Sequence, residues 1–113
     1  MAWKRVCSIE GFAANAIKKF AVDGVEVVAV NFGDDFRVIP PMCPHMEEPL
    51  DLSGICQDGV FTCTKHLWQW DLKTGAKRGD AQRDIKFYPS KIEGHDLLAF
   101  IDKPLEYEYV EEE

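Results

Sequence analysis

No apolar run in these 113 residues approaches the roughly 18 to 20 that a membrane-spanning helix needs. The opening "MAWKRVCSIEG" also lacks the apolar stretch of about 7 to 15 residues that defines a secretory signal. A cytoplasmic protein is therefore expected. Bases are scarce, with 13 Lys+Arg against 20 Asp+Glu and a net charge of −7. Nucleic acids and anionic membranes bind basic surfaces, so neither is the expected partner. An acidic surface suits docking on basic patches of other proteins. Five of the carboxylates fall in the tail 104–113, "PLEYEYVEEE", which reads as a solvated terminus. There is no repeat, linker or low-complexity segment, and the length fits one domain over residues 1–113. No catalytic triad, phosphate-binding loop or general-acid carboxylate pair is evident, which points to a protein that is not itself an enzyme.

Helical periodicity is also missing, apart from a weak turn near "EGFAANA" (10–16), and strand signals dominate. "VEVVAVNF" (25–32) is rich in β-branched residues and follows "DG" (23–24), a favoured two-residue hairpin turn, with "AIKKFAV" (16–22) as its antiparallel partner. "FRVIPP" (36–41) is a strand that Pro40 and Pro41 end, and the Pro-rich polar stretch 42–54 after it reads as a loop. "GICQDGV" reads as a hairpin turn into a strand at 58–63, "LWQWDL" (67–72) alternates, and "IKFYPSKI" and "DLLAFI" flank a last turn at 93–96. The expected fold class is all-β, a small sandwich or barrel of antiparallel sheets.

Histidine is rare, yet two of the three histidines stand beside cysteines: "CPH" at 43–45 and "CTKH" at 63–66, with seventeen residues (46–62) between them. His95, in "EGHD", has no cysteine nearby and reads as an exposed turn residue. Cys7 and Cys56 lie in apolar surroundings and read as buried, unreactive thiols. Structural zinc sites use chelating pairs spaced by two to four residues. The single residue between Cys43 and His45 is tight for two bonds to one tetrahedral ion, and suits bonds to two adjacent metals. A [2Fe–2S] cluster held by Cys43 and Cys63 at one iron and His45 and His66 at the other has that geometry. A zinc-stapled structural module is the alternative of another class.

The pattern Cys43-x-His45 followed by Cys63-x-x-His66 resembles the signature of the Rieske family. "CPHMEEPLDLSG" resembles its first cluster-binding loop, and "CTKHLWQWDLKTG" its second loop with the strand and turn that follow. The resemblance implies three antiparallel sheets, a cluster-binding subdomain over about residues 42–70, one [2Fe–2S] cluster and electron transport. High-potential members carry a further cysteine in each loop, joined as a disulfide, where this chain has Glu48 and Lys65. They place hydrogen-bonding Ser and Tyr where this chain has Trp68 and Trp70. Fewer donors to sulfur, and the carboxylates of Glu47, Glu48 and Asp51, all disfavour the reduced cluster and imply a low potential. An indole N–H could still donate to sulfur, and packing beneath the loop is the plain alternative for at least one tryptophan.

A disulfide-free, low-potential single domain resembles a bacterial oxygenase ferredoxin. "HLW" and the acidic loop after "CPH" are most similar to the ferredoxins of multicomponent toluene monooxygenases, which serve aromatic hydrocarbon catabolism. That resemblance implies electrons arriving from an NADH-dependent flavin reductase and leaving to a diiron hydroxylase. The ferredoxin of an aromatic-ring dioxygenase is the near alternative, and a Rieske-like subunit of a larger enzyme a further one. The protein is expected to be a monomer that docks transiently through the face around Pro44, Met46, Leu67 and Trp68.

Overall fold

The computed structural model describes residues 3–33, 35–44, 48–65, 67–79, 81 and 83–107. Among these residues ten strands form three antiparallel sheets, matching the expected fold class. The first sheet joins β1 (Trp3–Ser8), β10 (Asp96–Phe100) and β9 (Ser90–Glu93) in the order β1-β10-β9. The second is a meander of β2 (Ile17–Val22), β3 (Val25–Asn31) and β4 (Phe36–Ile39). The third runs β5 (Gly54–Gln57), β6 (Val60–Cys63), β7 (Trp68–Asp71) and β8 (Lys77–Arg78). The helical content among the described residues is one turn, α1 (Leu50–Ser53).

The β2–β3–β4 sheet is the middle layer, and β3 explains why. Val27, Val28, Ala29 and Val30 are all inaccessible to solvent. Val28 and Val30 point into a core with Cys43, Leu50, Phe61, Cys63, Trp68 and Trp70. Val27 and Ala29 point into another with Val6, Cys7, Tyr88, Leu97 and Ala99. Alternate side chains of a strand face opposite ways, so an unbroken Val/Ala run is what a strand covered on both sides requires. The third sheet thus sits on one side of β3 and the first on the other.

Two Asp-Gly turns set the hairpin registers. Asp23 and Gly24 (φ 50° and 82°) join β2 to β3, and Asp58 and Gly59 (φ 53° and 77°) join β5 to β6. Both central residues are left-handed in each turn, the conformation whose twist matches antiparallel strands. The weak turn near 10–16 forms two turns and no helix.

Three local features differ from the sequence-based expectation. β1 arises at the N-terminus because Trp3–Ser8 pairs with β10, a partner almost the whole chain away, through a register shift between Arg5 and Cys7. The stretch 85–89, expected as strand, makes one bridge, Tyr88 to Val38, before β9 begins at Ser90. Pro89 has no N–H to extend a ladder there. The loop after β4 contains α1, which Gly54 ends. A Cβ on Gly54 would lie 2.5 Å from the Leu50 carbonyl oxygen and 2.3 Å from the Phe61 ring, so only glycine lets α1 pass straight into β5.

Gly54→Ala should therefore cost roughly 1–3 kcal/mol, the range for overpacking a filled core. Urea unfolding checks this, and a midpoint equal to wild type would contradict the close approach.

Candidate metal centre

Two loops converge at one end of the third sheet, one leaving β4 and one joining β6 to β7. The first is closed at its neck by a ladder of its own. Leu50 donates its N–H to the Pro41 carbonyl at 2.8 Å, Met42 bridges Pro49, and the Cys43 N–H reaches the Glu48 carbonyl at 3.0 Å. Pro41 and Pro49 serve here as acceptor and bridge partner, so their missing N–H groups cost nothing. In the second loop Cys63 faces Trp68 as the last pair of β6 and β7. The Leu67 N–H donates back to the Cys63 carbonyl at 2.8 Å, with Leu67 in the left-handed region at φ 60°.

The loops are tied to each other through α1. Thr64 gives both its backbone N–H (2.9 Å) and its hydroxyl (2.7 Å) to the Ser53 carbonyl. The Ser53 hydroxyl donates to the Glu48 carboxylate at 2.5 Å.

Cys43 and Cys63 are 0% and 1% exposed and belong to the same core with Leu50 and Trp68. Both are free of disulfides, as are Cys7 and Cys56. Two unbridged thiols, one from each of two loops fastened side by side, form a donor set that fits an iron–sulfur cluster. His45, Met46, Glu47 and His66 lie outside the described residues. The tail beyond residue 107 does so as well.

Of the remaining residues expected near the centre, Leu67 is 67% exposed, whereas Pro44, Trp68 and Trp70 are buried. Pro44 and Trp68 are therefore not on an outer docking face, contrary to the expectation. Trp68 faces inward because it alternates with half-buried neighbours along β7 and sits edge-on to Trp70, with ring centroids 6.3 Å apart. The Trp70 indole N–H donates to the Arg83 carbonyl at 2.8 Å, so that donor is spent on the 81–85 segment. Both indole rings pack in the core beneath the loops. Asp51, on α1, has one carboxylate oxygen buried with no hydrogen-bond partner among the described residues.

Residues 2–89 match the Rieske [2Fe-2S] domain family, and the chain belongs to it. Over all 113 residues it is 44% identical to the methanesulfonate monooxygenase ferredoxin subunit of Methylosulfonomonas methylovora, covering 92% of that protein. It is 28% identical over 93 residues to the ferredoxin component of the alkene monooxygenase system of Xanthobacter autotrophicus, covering 82% of this chain and 76% of that one. Among solved structures, the ferredoxin of carbazole 1,9a-dioxygenase from Nocardioides aromaticivorans IC177 superposes with a TM-score of 0.76 at 26% identity, over 88% of this chain and 97% of that one. The chain is a Rieske ferredoxin with one [2Fe–2S] cluster, an electron-transfer protein of the kind that serves oxygenase systems rather than an enzyme. None of the helices among the described residues is long and apolar enough to cross a membrane.

The two cysteines away from the loops behave otherwise. Burial pushes the thiols of Cys7 and Cys56 above their ordinary value, with Arg5 and Lys18 partly opposing this at Cys7. Little thiolate exists at neutral pH, and the thiolate is the nucleophile. Native protein treated with iodoacetamide at pH 8 should leave Cys7 and Cys56 unmodified while urea-unfolded protein is alkylated at both, as read by peptide mass spectrometry. Rapid native labelling at either would contradict the buried, protonated state.

Proposed function

We propose that this chain is the electron-carrying subunit of a cytoplasmic monooxygenase system, with residues 1–113 acting as one domain and about 42–70 as its cluster-binding part. Cys43 and Cys63 would hold one iron and His45 and His66 the other. The cluster, when bound, stores one electron; the chain's own residues hold it, exclude water from the thiols and present the loops to partners. Electrons arrive singly from an NADH-dependent flavin reductase and leave to the oxygenase component, in transient encounters of a monomer.

The observation that carries the reading is the similarity over the whole chain to the methanesulfonate monooxygenase ferredoxin subunit, so a monooxygenase acting on methanesulfonate is the system to test first. The toluene-type diiron hydroxylase rests on the three residues "HLW" and the acidic first loop, and is the second reading. The solved ferredoxin of a dioxygenase shares the fold and supports a dioxygenase partner as the next reading. Dithionite-reduced protein should be oxidised fast by the oxygenase component of methanesulfonate monooxygenase in stopped-flow mixing, and slowly by that of toluene monooxygenase. The reverse order would move the assignment.

The reduced protein should give a rhombic spin-half electron paramagnetic resonance signal, with average g below that of all-cysteine clusters. A colourless zinc protein that unfolds on chelation would sink the ligand assignment. The potential should lie in the lower part of the Rieske range of about −150 to +300 mV. Trp70 gives its N–H to Arg83, and the half-buried carboxylate of Asp51 adds negative charge that opposes a further electron. A value above about +150 mV would contradict this.

Leu67 is the exposed apolar residue of the second loop, and the docking face centres on it. Leu67→Glu should slow oxidation by the oxygenase component on the order of tenfold or more, as loss of a central contact does, and leave the spectrum of the cluster unchanged. Ile92→Glu, on the sheet beyond the middle layer, adds the same charge as a control. Equal rates for the two variants would remove Leu67 from the interface.

A further inference from the structure

The two side chains buried yet polar among the described residues are Ser53 and Thr62. Thr62 accepts from the Gln69 amide across β6 and β7, an ordinary cross-strand pair. Ser53 is placed differently, because each of its groups reaches a different loop. Its hydroxyl donates to the Glu48 carboxylate, and the Glu48 carbonyl holds the Cys43 N–H. Its carbonyl accepts twice from Thr64, the neighbour of Cys63. Ser53 thus connects Glu48, which holds the Cys43 N–H, to Thr64, the chain neighbour of Cys63.

We propose that Ser53 is a positioning residue, a clamp that holds the two cysteine-bearing loops in register and so sets how firmly the cluster is retained. A hydroxyl bonded to a carboxylate is stronger than a neutral pair. Ser53 is buried and Glu48 half-buried, so water competes poorly for either. The connection to retention rests on the ligand assignment above, whereas the clamp itself does not.

The test uses the full chain with its cluster. Bleaching of the visible absorbance by an iron chelator is followed in wild type, Ser53→Ala, Glu48→Gln and the double variant. Ser53→Ala should lose the cluster on the order of tenfold faster, the factor expected for a bond to a charged group. Glu48→Gln should fall between, and the double variant should be no faster than Ser53→Ala, because both changes remove one link. Ser53→Thr, which keeps the hydroxyl, should restore most of the retention. Amide exchange supplies a reading that needs no cluster: the Cys43 amide, held by the Glu48 carbonyl, should exchange faster in Ser53→Ala, while Thr64, bonded to a residue-53 carbonyl that alanine keeps, and Val27–Val30 do not. Bleaching of Ser53→Ala at the wild-type rate, or additive effects in the double variant, would overturn the clamp. Wild type isolated without iron would overturn the ligand assignment instead. The clamp would then stand or fall on Cys43 amide exchange, with unchanged protection overturning it.

Discussion

Two loops that leave different sheets have to deliver one cysteine each to the same point, and everything at that end of the molecule serves this convergence. Cys43 follows β4 of the middle sheet and Cys63 ends β6 of the third, so no single hairpin sets their separation. Each loop first closes its own neck, through Leu50–Pro41 and Cys43–Glu48 on one side and Leu67–Cys63 on the other. The residues between then fasten one neck to the other by way of Ser53. The wider core holds the same geometry from below, since Cys43, Cys63, Leu50, Phe61 and Trp70 pack with Val28 and Val30 of the middle strand. The cysteines are thus part of the hydrophobic core, and moving either loop would open a cavity in it.

What was legible in the sequence follows from how local each signal is. The Asp-Gly turns at 23–24 and 58–59 and the Val/Ala run of β3 are written in neighbouring residues, and those hairpins form where the turns place them. The pairing of Cys43 with Cys63 was readable because two rare residue types recur together. β1 was not readable: "WKRVCS" has mixed polarity, and its pairing with β10 is decided by a partner far along the chain. The Ser53 link was hidden for the same reason, since a serine in a Pro-rich loop carries no mark of the two loops it joins. Trp68 and Trp70 were ambiguous because an indole has both a donor and a large apolar face. Trp70 resolves through Arg83, which lies in an irregular segment without a periodic signal.

Exposure then separates the two ends of the centre. The thiols are sealed within the core, so a partner protein that approaches from solvent does not meet them directly. The exit proposed for the electron is therefore the solvent side of the second loop. Leu67 stands there, 67% exposed and in a left-handed conformation that a branched side chain adopts at a cost. A glycine would relieve that cost and would remove the apolar surface. The fold therefore carries at Leu67 a residue that local backbone energetics disfavour, and the proposed docking contact would account for its place there.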